Sequence, residues 1–582
     1  MRAAAIATFL LATLITWPTL IAPTSAVLGH PGNDVWNHIW GYWWVAEELG
    51  HGRFPLATSL MHFPDTSKLF FIDTFGALIT LPIQWALGPV AAINAIMFLC
   101  FWAAGFAAWL LGRHVLTTLR GPGPVTDRLA FLVAIAYAAS PHLIAQAYNG
   151  ITETLFAAGL PFTTLAVLRL YERPTVRRGL VAGLTGAVSV MANQYFGLFA
   201  IIGAVVLLGT HAWARRDRVH WRALPMPVVV GGVMALVLVA PGLLGFAATL
   251  DSADSIVHRD ADFVLQSLMN HNMTDVVSLV HPGKFYSPDL KSMTGEDLLI
   301  VTYVGWTLLC LAGLGVVEMR AGDRVHWMVW VLVFGVLCLG PYLYVGGSYV
   351  TVDDRKIPLP FLALFRVSSA FQRISHPFRF IMGVQLGLGI LAVGGLARRP
   401  AWTHGLAMTL ILGESLLGSP APWPLARADV AMPAYTQALR DDPVPGAVVD
   451  LPINVPNLER AVYLHYQTVT GRPIPYSLNE PLPPILSRSH LARAILVAEG
   501  GRLDTLPPSL GSLDLVVAGR AMARLGVRYV VVHEAMYPAE RLAQVLAILR
   551  TALGPETTNT GVGERIWKLE QPAASTAGGG AA

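Results

Sequence analysis

Long apolar runs separated by short polar segments recur along most of the chain. A helix needs roughly 20 apolar residues to cross a bilayer. On that measure the pattern predicts spans over 4–26, 90–112, 128–147, 152–170, 179–194, 195–213, 225–248, 299–318, 326–345, 376–396 and 402–418. The two that meet at Asn193, Gln194 and Tyr195 leave room only for a tight hairpin. The stretch 73–88 is short and amphipathic, with Asp73, Pro82 and Gln84 in it, and reads as a helix lying along the membrane interface. After residue 419 the period changes. GAVVDLPINV and LGVRYVVVHEAM read as buried strands, AERLAQVLAILRTAL as a helix and GERIWKLE as a closing strand. The tail QPAASTAGGGAA is low-complexity.

The expected fold is mainly α: a polytopic membrane bundle of about 11 spans over 1–418, an α/β domain over 419–570 and a disordered tail over 571–582. Arginines orient it. Arg113, Arg120 and Arg128 flank one loop, and Arg169, Arg173, Arg177 and Arg178 lie at the next. Arg215, Arg216, Arg218 and Arg222, then Arg320 and Arg324, then Arg398 and Arg399 mark three more. With the N-terminus inside, every one of these loops falls on the cytoplasmic side, as the positive-inside rule asks. If 73–88 crossed as well, every later loop would invert. The outer face then receives 27–89, 249–298, 346–375 and the α/β domain, so the C-terminus is outside. Residues 1–26 also have the outline of a cleaved signal peptide, with Arg2 before the apolar run and Pro-Thr-Ser-Ala after it. Retention as a signal anchor fits the topology.

Composition supports this picture. Of 582 residues, 54% are hydrophobic and only 13% charged, with a mean hydropathy of +0.54. The net charge of +4 resides in the loops and serves orientation, so no nucleic-acid partner is expected. Cys100, Cys310 and Cys338 lie inside apolar runs and form no disulfide or zinc pattern. Walker, dinucleotide, HExxH and GxSxG motifs are absent from the sequence.

The candidate chemistry begins in HPGNDVWNHIWGYWWVAEE, residues 30–48. At 100° per residue, Asp34, Asn37, His38, Gly41 and Glu48 share one helix face, and Trp36, Trp40, Trp43, Trp44 and Glu47 the other. The indoles are expected at the headgroup level, with the polar face toward an outer cavity. Asn33 or Asp34 could instead simply cap the helix, as could Asp73 for the helix it begins. His62, Asp65 and Lys68 read as solvated loop residues. Glu153 stands at the outer end of a span, where an acid needs a partner or water, and turn chemistry accounts for Asn193 and Gln194. Arg355, Lys356, Arg366, Arg373 and Arg379 are basic residues on the side where few are expected, so an anion belongs near them. Phosphate matches the arginine fork of donors; Asp353, Asp354 or lipid headgroups are the alternative.

Taken together these stretches resemble the GT-C superfamily of membrane glycosyltransferases, and within it the bacterial YfhO-like branch. The resemblance rests on NDVWNHIWGYWW, the following FPD, GPVAAINAIMFLCFWAAGFAAWLLGR, PHLIAQAYNGITETLFAAGLPFTTLAVLRL, LGPYLYVGG with the later HPFRF, and LGVRYVVVHE. It implies a transferase in the bacterial inner membrane that takes a sugar from a polyprenyl phosphate donor to a lipid or glycan acceptor on the outer face. The catalytic acid of the first outer loop would be Asp34, with Asp73 and Glu153 as further acids. Asn37, His38, Arg366, Arg373 and Arg379 would contact substrate. No metal ligands are assigned; since Asp34 lacks a paired acid, use of a divalent metal stays open. A lipid or polymer transporter or flippase without chemistry, or a non-catalytic envelope-assembly scaffold, would share many of these features.

The topology is open to direct test. Reporter fusions after residues 120, 175, 218, 322 and 399 are expected to score cytoplasmic, and those after 60, 280, 360 and 450 outside. An external reporter at both 60 and 120 would show that 73–88 spans.

Overall fold

The computed structural model describes residues 1–214, 221–250, 252, 255, 260–283, 297–478, 482–502, 514–559 and 563–570. The expected tail and the loop arginines Arg215, Arg216 and Arg218 lie outside the described residues.

Apolar helices occupy each of the segments expected to span. In order they are α1 (Arg2–Thr16), then past the loops α2 (Val35–Gly50) and α3 (Thr74–Ile79), α4 (Leu81–Arg120), α5 (Pro124–Ala138), α6 (Pro141–Tyr148), α7 (Gly159–Glu172), α8 (Val176–Ala192), α9 (Gln194–Ala214), α10 (Pro225–Leu250), α11 (Trp306–Glu318), α12 (Ala321–Cys338), α13 (Ile381–Leu396) and α14 (Ala401–Leu417). Among the described residues six segments are long and apolar enough to cross a membrane, and a seventh forms if α5 and α6, bent by 44°, count as one. The chain is a multi-pass membrane protein. Helix α13 is buried along its whole length and packs against α5, α11 and α12. Helix α10 is its opposite, mostly exposed apolar surface, and it docks on α8 where Gly183 meets the Gly231 backbone. Small residues let membrane helices approach this closely.

The span expected over 4–26 is helical only to Thr16 before a short turn of helix at Pro18–Ile21, and three further departures from the sequence reading bear on the site. The span expected over 299–318 begins as a helix only at Trp306. Before it, Leu299–Val304 forms no regular element and is mostly buried, with backbone groups met by side chains: Asn149 holds both the N–H and the carbonyl of Leu299 at 2.9 and 2.7 Å, and the Val301 carbonyl meets His142 Nδ1 at 2.9 Å. Glu414 on α14 then accepts the first α11 N–H groups, those of Trp306 and Thr307. The helix expected over 73–88 is two pieces, α3 and the first turns of α4, which part at Thr80, and the second piece ends at Gly88, where φ 85° and ψ 171° kink α4 ahead of Pro89. Trp85 and Leu87 on the second piece are 66% and 61% exposed.

The third departure concerns the tryptophans of α2. Trp36, Trp40 and Trp44 are buried, not spread on a membrane surface. Their partner is α15 (Val462–Thr470) in the C-terminal part of the chain. Trp36 stacks on His465 with ring centroids 4.9 Å apart. Trp40 Nε1 donates to Gln467 Oε1 at 2.7 Å, and Gln467 Nε2 donates to the carbonyls of Leu60 and Arg472. An indole suits a protein interface as well as a lipid one, since both offer an apolar body and a polar tip a place.

Strands knit the same regions together. β1 (Ala26–Leu28) pairs antiparallel with β2 (Arg427–Asp429), and the Ile474 N–H donates to the Leu60 carbonyl at 2.8 Å. The C-terminal sheet contains β3 (Ala447–Leu451), β4 (Val527–His533), β5 (Thr558–Asn559) and β6 (Glu564–Lys568) in the order β5-β6-β4-β3. β3 and β4 are parallel and the other pairs antiparallel. One face, with Val449, Val530, Val532 and Trp567, packs under α16 (His490–Ala498), α17 (Leu515–Arg524) and α18 (Ala539–Leu553). The other face, with Val448, Tyr529 and Val531, belongs to the same apolar cluster as the helical bundle. The sheet is therefore the common wall of two cores.

Gln467 ties α2 to α15, so Gln467→Leu leaves the Trp40 Nε1 and the Arg472 carbonyl unpaired while the Leu60 carbonyl keeps the Ile474 N–H, and each unpaired group costs about 1–3 kcal/mol. Adding Trp40→Phe removes one of them. In a double-mutant cycle read by thermal melting, the double variant is expected to lose less stability than the two single variants summed.

Candidate functional site

Four separate segments bring ionisable side chains to the end of the bundle where α2 lies. Along α2, Asp34 precedes the first turn and Asn37, His38 and Tyr42 follow on one face. Asp73 is the residue before α3. Thr152 and Glu153 sit in a 3₁₀ turn, Thr152–Leu155, that follows α6. Arg379 comes from the 3₁₀ turn Pro377–Phe380 that leads into α13. Gly41 lets the Phe71 ring lie close against this side of α2, because a Cβ there would collide with it.

His38 is the hub. Its Nε2 lies 3.3 Å from Glu153 Oε2 and 3.9 Å from Asp34 Oδ2, and its Nδ1 meets Thr152 Oγ1 at 2.8 Å. Glu153 Oε1 in turn faces Arg379 Nη2 at 3.5 Å. The Arg379 guanidinium stands over the Tyr195 ring, 4.9 Å from its centroid, and Asn193 Nδ2 secures the Glu153 carbonyl at 2.8 Å. Glu153 Oε2 and Arg379 Nε are buried and make no hydrogen bond within the chain.

Asp73 lies deepest, with no exposed surface. Its Oδ2 accepts the Tyr42 hydroxyl at 2.7 Å and the Thr152 hydroxyl, and its Oδ1 accepts the Gly76 N–H at 3.2 Å. Burial pushes the Asp73 carboxyl up to about 6, against the pull of His38, Thr152 and Tyr42. Burial, with Asp73 beside it, also raises Tyr42 well above the usual phenol range, so its hydroxyl stays a donor. Asp34 is the most exposed of the three acids, with 16% of its side chain open. It takes the N-cap position without a side-chain cap bond and accepts instead from Asn37 Nδ2. Asp73 does cap its helix, through Gly76, so for that residue the capping and the clustered roles coexist.

The sequence-derived candidates thus divide. Asp34, Asn37, His38, Asp73, Glu153 and Arg379 form one cluster. Arg366 and Arg373 are exposed and make no ion pair with it, and Arg373 lies over Phe246 at 5.9 Å. Lys356 covers the Tyr349 ring at 3.9 Å. Glu48 pairs with Arg53 at 2.7 Å and stays outside the cluster. Thr152, Tyr42 and Tyr195 were not singled out from the sequence. Tyr42 follows His38 by one helical turn and was open to the same face argument; Thr152 and Tyr195 carried no signal of their own. Among the described residues no group of three His, Cys, Asp or Glu side chains is arranged to hold a metal ion. A separate cavity of about 50 Å³, lined by His114, Glu172, His211, Asp323 and His326 among others, opens among the loop ends of α4, α7, α9 and α12, apart from this cluster.

No protein-family model and no curated protein matches the chain. Solved structures similar to it include the oligosaccharyltransferase AglB of Archaeoglobus fulgidus in complex with an inhibitory peptide and a dolichol-phosphate, at 13% identity and a TM-score of 0.43, covering 95% of this chain and 71% of that one. ArnT of Cupriavidus metallidurans bound to undecaprenyl phosphate is similar at 12% identity and a TM-score of 0.41, covering 97% of each chain. Likenesses this distant assign no activity.

Replacing one member of a buried ion pair leaves the other charge stranded, at about 3–5 kcal/mol. Glu153→Leu is therefore expected to lower the melting temperature in detergent sharply, and Glu153→Gln, which keeps an acceptor for Arg379, less so. Equal melting of both variants and wild type would show that the Arg379 charge is compensated elsewhere.

Proposed function

We propose that the chain is a membrane glycosyltransferase of GT-C type, in the YfhO-like branch. It moves a sugar from a polyprenyl phosphate donor to an envelope lipid or polysaccharide acceptor at the outer face of the bacterial inner membrane. The observation that carries this reading is the convergence of Asp34, His38 and Glu153 with Arg379 at one end of an apolar helical bundle. An acid that can reach a hydroxyl stands there beside a cation that can meet a phosphate.

The reaction is a single displacement at the anomeric carbon. Asp34, the more exposed acid, deprotonates or orients the acceptor hydroxyl. Arg379 stabilises the negative charge that builds on the departing phosphate, as a fixed donor in a water-poor site does. Its unbonded Nε and the shared Glu153 leave it donors to offer. Arg366 and Arg373, exposed on the same loop region, attract the headgroup from the membrane surface rather than hold the reacting phosphate.

A lipid-linked sugar offered to purified protein tests this. General-base assistance contributes about 10²–10⁴-fold, and an amide at position 34 keeps an oxygen to accept from Asn37 Nδ2. Asp34→Asn is thus expected to melt like wild type while transfer falls about a hundredfold or more. Arg379→Gln is expected to weaken binding of the prenyl phosphate more than Arg366→Gln or Arg373→Gln. Full transfer by a stable Asp34→Asn protein would move the chemistry to another acid. A wild-type protein that binds prenyl phosphates yet transfers no sugar would favour the transporter reading.

A further inference from the structure

Behind Asp34, three side chains are joined in a line that substrate contact does not explain. Asp73 Oδ2 accepts from Thr152 Oγ1, and Thr152 Oγ1 meets His38 Nδ1 at 2.8 Å. Thr152 is 1% exposed and Asp73 fully buried, so neither can touch an acceptor sugar directly. A hydroxyl has one proton. If Thr152 gives it to Asp73, the oxygen must accept from His38, which fixes the His38 proton on Nδ1. If Asp73 is protonated and donates to Thr152, the hydroxyl turns round, donates to Nδ1, and the His38 proton sits on Nε2.

We infer that Asp73, Thr152 and His38 form a proton relay that drains the site, with Thr152 the positioning residue that couples the His38 tautomer to the charge of Asp73. This rests on the glycosyl-transfer reading for its source of protons. As the acceptor oxygen bonds to the anomeric carbon, the anomeric C–O bond to phosphate breaks and the phosphate leaves with that electron pair. The hydroxyl proton goes to Asp34 and, once the partly exposed Asp34 side chain closes its 3.9 Å gap to hydrogen-bond distance, on to His38 Nε2. The Nδ1 proton moves to Thr152 Oγ1, and the Thr152 proton moves to Asp73 Oδ2. After product leaves, the same shifts run backwards and the proton returns to solvent past Asp34.

The relay ends by neutralising a carboxylate with no exposed surface, the kind of charge that burial penalises most. Asp73 suits the terminal position, because burial brings its carboxyl up to about 6. The groups that bear on these two residues are few. Asp34 and Glu153 face the His38 ring, with Arg379 behind Glu153. Tyr42, Cys100 and Glu153 act on or near Asp73. Tyr42 keeps donating to Asp73 Oδ2, so the relay has one open end, toward Thr152.

Imidazole ¹⁵N NMR of the full-length protein reads the relay without any substrate, with His38 identified among the 17 histidines by subtracting a His38→Gln spectrum. Titrated from about pH 5 to about pH 8, wild type is expected to hold its His38 proton on Nδ1 above about 6 and to shift it to Nε2 below. Thr152→Val is expected to abolish that step and Thr152→Ser to restore it, while Asp73→Asn removes the titrating end. In transfer assays the wild-type rate is expected to rise through about 6, where Asp73 ionises. Thr152→Val is expected to lose about 10–100-fold and flatten the profile, with Thr152→Ser within a few-fold of wild type. A His38 step that survives unchanged in Thr152→Val or in Asp73→Asn overturns the relay. Should Thr152→Val not fold, the Asp73→Asn and Thr152→Ser titrations decide alone. A coupled tautomer step in a protein that transfers no sugar would sink the glycosyltransferase reading and leave the relay standing.

Discussion

Burying ionisable groups in a low-dielectric setting is the constraint on which this structure turns. His38, Glu153, Asp73 and Arg379 are each at least nine-tenths buried, and a buried charge is tolerated only when partners and hydrogen bonds surround it. No single segment supplies those partners. His38 comes with α2, Asp73 with the start of α3, Glu153 with the turn after α6 and Arg379 with the turn before α13. The segments must therefore meet at one place. Much else follows from that meeting: the bend between α5 and α6 that delivers Glu153, Asn193 gripping the Glu153 carbonyl, and Tyr195 beneath the Arg379 guanidinium.

The C-terminal sheet and α15 complete the arrangement from behind. The indole face of α2 is pinned by His465 and Gln467, which fixes the rotation of the helix and so the direction in which Asp34 and His38 point. One face of the sheet lies in the same apolar cluster as the bundle. The C-terminal region is thus built into the support of the site, and its removal would free the helix that carries two of the candidate residues.

Local patterns were legible in the sequence, and distant pairings were not. Apolar runs located most of the long helices, and short β-branched apolar runs located β3, β4 and β6, because both signals arise within a few residues of one another. The face shared by Asp34, Asn37 and His38 was readable for the same reason. That His38 meets Thr152 across 114 residues depends on how helices pack, which no local period records. The tryptophans misled because an amphipathic ring fits a lipid headgroup region and a protein interface equally. Leu299–Val304 misled because hydropathy cannot distinguish an apolar helix from an apolar irregular segment whose backbone groups are met by Asn149 and His142. Arg366, Arg373 and Arg379 looked equivalent in the sequence; only Arg379 has a buried carboxylate waiting for it.

The most direct test is a structure of the protein with a non-transferable polyprenyl phosphonate sugar. The account requires the phosphonate within hydrogen-bond reach of Arg379, with the sugar turned toward Asp34 and the prenyl chain running out along the apolar helices. An analogue ordered elsewhere, for instance in the cavity of His114, His211 and His326, with Arg379 still holding only Glu153, would contradict it.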